Sequence, residues 1–179
     1  MVAVLAAVAL GAGPAAAQVA QTPAVAAGSF VSTIYSPAGH NCLDVPNGTQ
    51  DINANLIGAA CTSSPEQLYT FIPETDPNNG LAGYILVNHA SGLCAVKFRF
   101  EVRQADCVNE NPIWSSHIWR LLPVDPATQK YLLEPTYVGA TAAGRCMGTG
   151  TGTIVPTPFC DPTDATQIMV ISGIGTGAA

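Results

Sequence analysis

The chain has 179 residues, of which 48% are hydrophobic and 10% charged, and its net charge is −6. That length gives one domain with a real core; so little charge argues against long solvent-exposed helices, and 17 glycines and 14 prolines fit many short strands joined by turns. All six Lys and Arg residues fall between Lys97 and Arg145, so a nucleic-acid partner finds no basic footprint of useful size.

The opening stretch, MVAVLAAVALGAGPAAA, is apolar and closes on Ala15-Ala16-Ala17, a cleavage site of the small-x-small kind. It is too short before Gly11 and Pro14 to span a bilayer. Residues 1–17 are therefore expected to be a secretory signal peptide, although the basic residue that usually opens one is missing. Residues 18–27 read as a linker, 28–172 as the folded domain and 173–179 as a flexible tail. No other apolar segment is long enough to cross a membrane.

Within the domain, short strands alternate with turns. The first unit runs through STIYSPAGHNC, then Leu43-Asp44-Val45, the turn Pro46-Asn47-Gly48, Cys61 and QLYTFIP from Gln67. The second runs through YILVNHASGLC, Cys107 and HIWRLLP from His117. The third runs through VGATAAGRC, Cys160 and QIMVIS from Gln167. Cys42, Cys94 and Cys146 are spaced by 52 residues each time, and Gln67, His117 and Gln167 by 50. Self-similarity at a fixed period outranks local propensity as a fold signal. Three units are too few blades for a usual propeller. Closed into a barrel, they remove the sheet edges and share one core along a pseudo-threefold axis. The expected fold is all-β, a β-trefoil.

The repeat also assigns the cysteines, as Cys42–Cys61, Cys94–Cys107 and Cys146–Cys160. An even number of cysteines suits an exported chain, and staples of this size contribute about 3 kcal/mol each. The middle unit holds a conflict. VKFRFEVR alternates as one continuous strand would, with Val96, Phe98, Phe100 and Val102 on one face and Lys97, Arg99, Glu101 and Arg103 on the other. A straight strand from Cys94 to Cys107 would reach about 40 Å at roughly 3.3 Å per residue, whereas a disulfide needs Cα atoms about 4.4–6.8 Å apart. The chain is therefore expected to fold back near Phe98–Glu101 without the usual Gly or Asn.

These features resemble the ricin-type (R-type) lectin β-trefoil family over residues 28–172: the threefold period, the paired cysteines, CLDV in the first unit and Gln-x-aromatic near the unit ends. The resemblance implies a six-stranded barrel capped by three hairpins, with Tyr69, Trp119 and Met169 buried. It also implies shallow sugar pockets, up to one per unit, for galactose-like or other plant and cell-surface glycans. In such a pocket a carboxylate accepts from two neighbouring hydroxyls, an aromatic ring covers the apolar sugar face, and an amide supplies further bonds.

Taken position by position, the resemblance singles out the first unit. Asp44 stands at the family's carboxylate and Gln67 at its glutamine. Ile57 replaces a polar residue, Ala59 the aromatic, and Glu66 the Asn that often precedes the Gln-x-aromatic segment. Asn53, Asn55 and His40 are the polar neighbours that could complete the set, and Asn55 joins Asp44 and Gln67 as the expected sugar-binding residues. In the other units Val96 and Gly148 stand where Asp44 does, and Ala105 and Pro158 replace the aromatic. Two roles stay open for Asp44: sugar ligand, or acceptor of backbone hydrogen bonds around the Pro46-Asn47-Gly48 turn.

The remaining motifs carry little chemistry. His40, His89 and His117 lie in different units without metal spacing, and His117 is expected in a hydrogen-bonded structural role in place of a core glutamine. GTGTGT from Gly148 lacks the lysine and following helix of a phosphate loop. Trp114 reads as an exposed binding aromatic or as packing under its loop. Asn47-Gly48-Thr49 is a glycosylation sequon. No nucleophile, acid/base pair, cofactor site or metal site is expected. The sequence thus reads as a secreted carbohydrate-binding protein, not an enzyme, with one weak site. The alternative is a degenerate trefoil that binds a protein partner, as a protease inhibitor or an adhesion or toxin-delivery subunit.

Overall fold

The computed structural model describes residues 28–107, 115–136 and 144–172. The expected leader (1–17), linker (18–27) and tail (173–179) lie outside them, and so does Trp114. Among the described residues there is no α-helix; twelve strands alternate with short 3-10 turns.

The barrel forms first. Strands β1 (Phe30–Ser32) and β2 (Tyr35–Ser36) are two pieces of one strand. β1 pairs with β5 (Tyr69–Thr75), which pairs with β6 (Ala82–Asn88). β6 pairs with β10 (Ile118–Asp125), and β10 with β11 (Lys130–Pro135). β11 pairs with β12 (Met169–Val170), which returns to β2 and closes the ring. Closure leaves no barrel edge unpaired. Inward positions alternate along these strands, so Tyr69 and Phe71, Trp119 and Leu121, and Met169 and Ile171 stack as corresponding pairs from the three units in one buried core. Tyr69, Trp119 and Met169 are buried, as the resemblance implied. The Trp119 indole also donates to the Ala95 carbonyl at 2.8 Å.

Hairpins cap the barrel. β3 (Asn41–Asp44) pairs with β4 (Ile57–Ala59), and β7 (Cys94–Phe98) with β8 (Glu101–Ala105). A short β9 (Ser115–Ser116) adds to β7. The corresponding stretch of the third unit forms only isolated bridges among the described residues: Arg145 with Phe159, Glu101 with Pro156 and Ile57 with Ile154. Pro156 and Pro158 cannot donate to a ladder, which explains why this hairpin is not a regular one. Leu56, Val102 and Val155 each lie five residues before a second cysteine. Their backbones close a triangle: Leu56 donates to Val102 at 3.0 Å, Val102 to Val155 at 2.9 Å, and Val155 to Leu56 at 3.1 Å. That ring marks the pseudo-threefold axis.

The disulfides join Cys42 to Cys61, Cys94 to Cys107 and Cys146 to Cys160, with Cα separations of 5.1, 5.0 and 4.8 Å. VKFRFEVR folds back as the second of these requires. Arg99 and Phe100 form the two-residue turn, with Arg99 at φ 55. The turn corrects the alternation expected from sequence. Cross-strand partners share a face, so Lys97 lies opposite Val102 and is buried with it, while Arg103 lies opposite Val96. The GTGTGT stretch packs on the first hairpin. A Cβ on Gly58 would stand 1.3 Å from the Gly150 carbonyl oxygen, so only glycine allows this approach.

Candidate functional site

Asp44 is the last residue of β3, and its neighbours fix it. Cys42 and Leu43 before it are buried, and Val45 after it is fully buried. The Val45 amide donates to the Glu66 carbonyl at 3.1 Å, which ties this segment to the 3-10 turn Pro65–Gln67. Asp44 itself is half-buried and lies opposite Ile57. Its Oδ2 accepts from Gln67 Nε2 at 2.8 Å. Among the described residues Gln67 is the one recorded donor to this carboxylate, and Oδ1 keeps its acceptor capacity.

The turn after Asp44 does not use it. Gly48 N donates to Val45 O at 3.0 Å and Thr49 N to Pro46 O at 3.2 Å, and no side chain caps the turn. Asn47 and Gly48 take the left-handed conformation that this closure needs. The turn-capping role left open by the sequence is therefore not the one Asp44 plays.

Burial pushes the Asp44 carboxyl above its ordinary value. The Gln67 hydrogen bond works against that rise, and the negative charge of Glu66 adds to it. Glu66, at the position where the family often has Asn, thus makes the surroundings more acidic. That favours a neutral ligand over an anionic one.

Gln67 is buried, and its amide is fully engaged. Oε1 accepts from Thr62 N at 2.7 Å, while Nε2 donates to Ala60 O and to Asp44 Oδ2, each at 2.8 Å. Both N–H donors are used, so Gln67 positions Asp44 and has no donor left for a ligand. Asn55 is not brought to this pair. It bridges Arg103 of β8, and its buried Oδ1 has no hydrogen-bond partner among the described residues. His40 and Asn53 are exposed turn residues with positive φ. Ala59, opposite Cys42 on β4, supplies no aromatic ring at the position where the resemblance implied one. The sequence placed Asp44 and Gln67 together through the resemblance; nothing local in it signalled that both amide donors are occupied.

A concavity of about 500 Å³ opens beside His117, away from Asp44, and is lined by Glu74, Asp76, Asn78, Cys107 and Thr136 among others. Burial holds His117 below its ordinary value, against the opposing pull of Asp76 and Glu74. No hydrogen bond to His117 is recorded among the described residues, so the structural bond expected from its place in the repeat is not seen. Burial alone would raise Asp76. Bonds from the Asn78 backbone, Thr136 Oγ1 at 2.7 Å and the Asn78 amide outweigh it and hold the carboxyl low. Asp76 is a turn-forming carboxylate, with Gly80 N also closing on its carbonyl.

The amino-acid sequence matches no family model and no curated protein. Solved structures do match the fold. A designed threefold-symmetric protein, ThreeFoil, is 20% identical with a TM-score of 0.57, over 79% of this chain and 96% of its own. A ricin B-like lectin of Macrolepiota procera, solved in complex with lactose, is 13% identical with a TM-score of 0.57, over 83% of this chain and 98% of its own. A chain of the Haemophilus ducreyi cytolethal distending toxin is 16% identical with a TM-score of 0.57, over 79% of this chain and 81% of its own. At these identities the likeness is one of fold.

Proposed function

We propose that this chain, a β-trefoil with the fold of ricin-type lectins, is an exported carbohydrate-binding protein with one site, at Asp44. One observation carries the reading: Asp44 is a fixed, half-buried carboxylate with a single recorded protein donor among the described residues. Such a group offers acceptors to two neighbouring hydroxyls of a neutral, galactose-like sugar, and Gln67 holds it in place. Val96 and Gly148 replace it in the other units, so a monomer has no second copy of this site and gains no avidity from one. Three disulfides fit an oxidising, extracellular setting. Among the described residues no helix is long and apolar enough to cross a membrane. A glycan array probed with the mature chain tests the reading. Signal on galactose-terminated glycans, lost in Asp44→Asn, supports it; silence across the array sinks it. The missing ring at Ala59 and the structural likeness to a toxin chain favour the second reading, a protein-binding subunit, in that event.

A further inference from the structure

The chain carries two Asn-Gly steps, Asn47-Gly48 and Asn79-Gly80, and both lie in turns. The backbone nitrogen that follows an asparagine can attack that asparagine's own side-chain carbonyl carbon. A following glycine opposes this least, because it has no Cβ to crowd the approach. In an unfolded chain the two steps are therefore near equals in reactivity. The fold treats them differently.

Asn79 is locked. Its Nδ2 donates to the Thr136 carbonyl at 2.7 Å and to Asp76 Oδ2 at 3.2 Å, and its Oδ1 accepts from Leu81 N at 2.9 Å. The same turn is closed by Gly80 N on the Asp76 carbonyl at 2.8 Å and by Asp76 N on that of Leu81 at 2.9 Å. Asp76 and Thr136, which anchor it, are buried. To bring its Cγ to Gly80 N, Asn79 must give up its side-chain bonds. Asn47 has none to give up. It is exposed, and among the described residues no hydrogen bond to its side-chain amide is recorded. Its turn rests on two backbone bonds, Gly48 N to Val45 O and Thr49 N to Pro46 O, and no side chain caps it. Gln104 Nε2 grips the loop further on, at the carbonyls of Thr49 and Asp51, so Asn47-Gly48 lies outside that grip. Attack on Asn47 needs the Gly48 bond to open and the Asn47 backbone to rotate from its ψ of 23.

We infer that Asn47 is a site of spontaneous deamidation, the one of the two Asn-Gly steps that the folded protein leaves open. Gly48 N bonds to Asn47 Cγ, and the side-chain nitrogen leaves as ammonia, carrying the proton that Gly48 N gives up. Water then opens the cyclic imide at either carbonyl. One product is aspartate. The other is isoaspartate, in which the backbone runs through the former side chain and the turn is longer by a methylene. Either product adds a carboxylate to a chain of net charge −6, on the turn that follows Asp44. The new charge joins that of Glu66, whose Oε1 lies 3.3 Å from where a Cβ on Gly48 would stand.

The test incubates the folded chain at neutral to mildly alkaline pH, withdraws samples over time and maps the peptides by mass. Because Asn47 also heads the sequon, the chain is made in a host that adds no N-glycans. The chain unfolded and reduced in urea is the control, and there both steps should react at similar rates. In the folded chain Asn47 should react at least about tenfold faster than Asn79, whose hydrogen bonds oppose local opening. An acidic form should grow on ion exchange in step with the modified Asn47 peptide, and Asn47→Gln should remove it at unchanged circular dichroism. No sugar enters the measurement, so its outcome is independent of the reading of Asp44. Equal rates at the two steps in the folded chain overturn the proposal. So does a folded chain in which neither step reacts while both react in urea, since the first turn would then protect its asparagine as well as the second does.

Discussion

Asp44 and Asp164 receive the same kind of bond and end in opposite conditions. Gln67 and Gln167 each accept from the amide after a second cysteine, Thr62 and Asp161, and each donate to the carbonyl before it, Ala60 and Phe159. Each has one N–H left. Gln167 gives it to Asp164 Oδ2 at 3.1 Å, three residues back in its own turn. The first unit has Ser64 at that position, so Gln67 reaches across to Asp44 instead. Asp164 Oδ1 also takes the amide and hydroxyl of Thr166, at 2.9 and 2.7 Å. Those bonds hold the Asp164 carboxyl below its ordinary value, whereas burial raises that of Asp44. One carboxylate is filled by its own turn, and the other is held in place with capacity to spare. The glutamine is architecture in both units; the difference lies in the carboxylate that it holds.

The middle unit sharpens this contrast, because His117 replaces the glutamine there and the unit leans on its core. Trp119→Ala should cost about 3–5 kcal/mol in chemical denaturation, the usual loss for a large buried aromatic. A near-normal midpoint would mean that the units do not share one core.

Gln67→Ala and Gln167→Ala should each cost about 2–4 kcal/mol, since each leaves a backbone amide and a carbonyl without partners. Urea titrations that gave clearly different losses would break the equivalence of the two clamps. A smaller difference is expected between the carboxylates. Asp164→Ala should lower the melting temperature, while Asp44→Asn, which keeps a side-chain oxygen to accept from Gln67 Nε2, should change stability by no more than about 0.5 kcal/mol.

His117 gives the smallest effect, with a definite sign. Its native proton affinity lies below that of the unfolded chain, whose ordinary pKa is 6.5. The unfolded state therefore binds more protons, and stability rises with pH. The contribution is complete above 6.5 and is lost as pH falls through that value toward the lower native one. Melting curves from about pH 8 to about pH 5 should show this decline, and His117→Gln should flatten it.

Much of the fold was legible because it repeats. The cysteine period placed the bridges, and the Gln-x-aromatic segments placed Tyr69, Trp119 and Met169 in the core. The bridge between Cys94 and Cys107 also forced the chain reversal at Arg99-Phe100. Its consequence for Lys97 was not legible: a reversal changes which residues share a face, and alternation along one strand cannot report that. The third unit's irregular hairpin follows from Pro156 and Pro158, whose effect depends on register. At the site, sequence placed Asp44 but not the allocation of Gln67's two donors, because the acceptors, Ala60 O and Asp44 Oδ2, are set by backbone geometry. The Arg145 guanidinium lies over the rings of Phe100 and Phe159, residues of two different units, and only folding brings them together.

Titration calorimetry with lactose, on the wild-type chain and on Asp44→Asn, tests the central claim most directly. A single shallow site without an aromatic platform should bind in the millimolar range, near about −4 kcal/mol. The wild type should give heat that weakens as pH falls through the raised Asp44 pKa, because only the carboxylate accepts both hydroxyl bonds, and Asp44→Asn should give none at unchanged melting temperature. Equal heat from the two proteins, or none from the wild type at saturating lactose, would contradict the account.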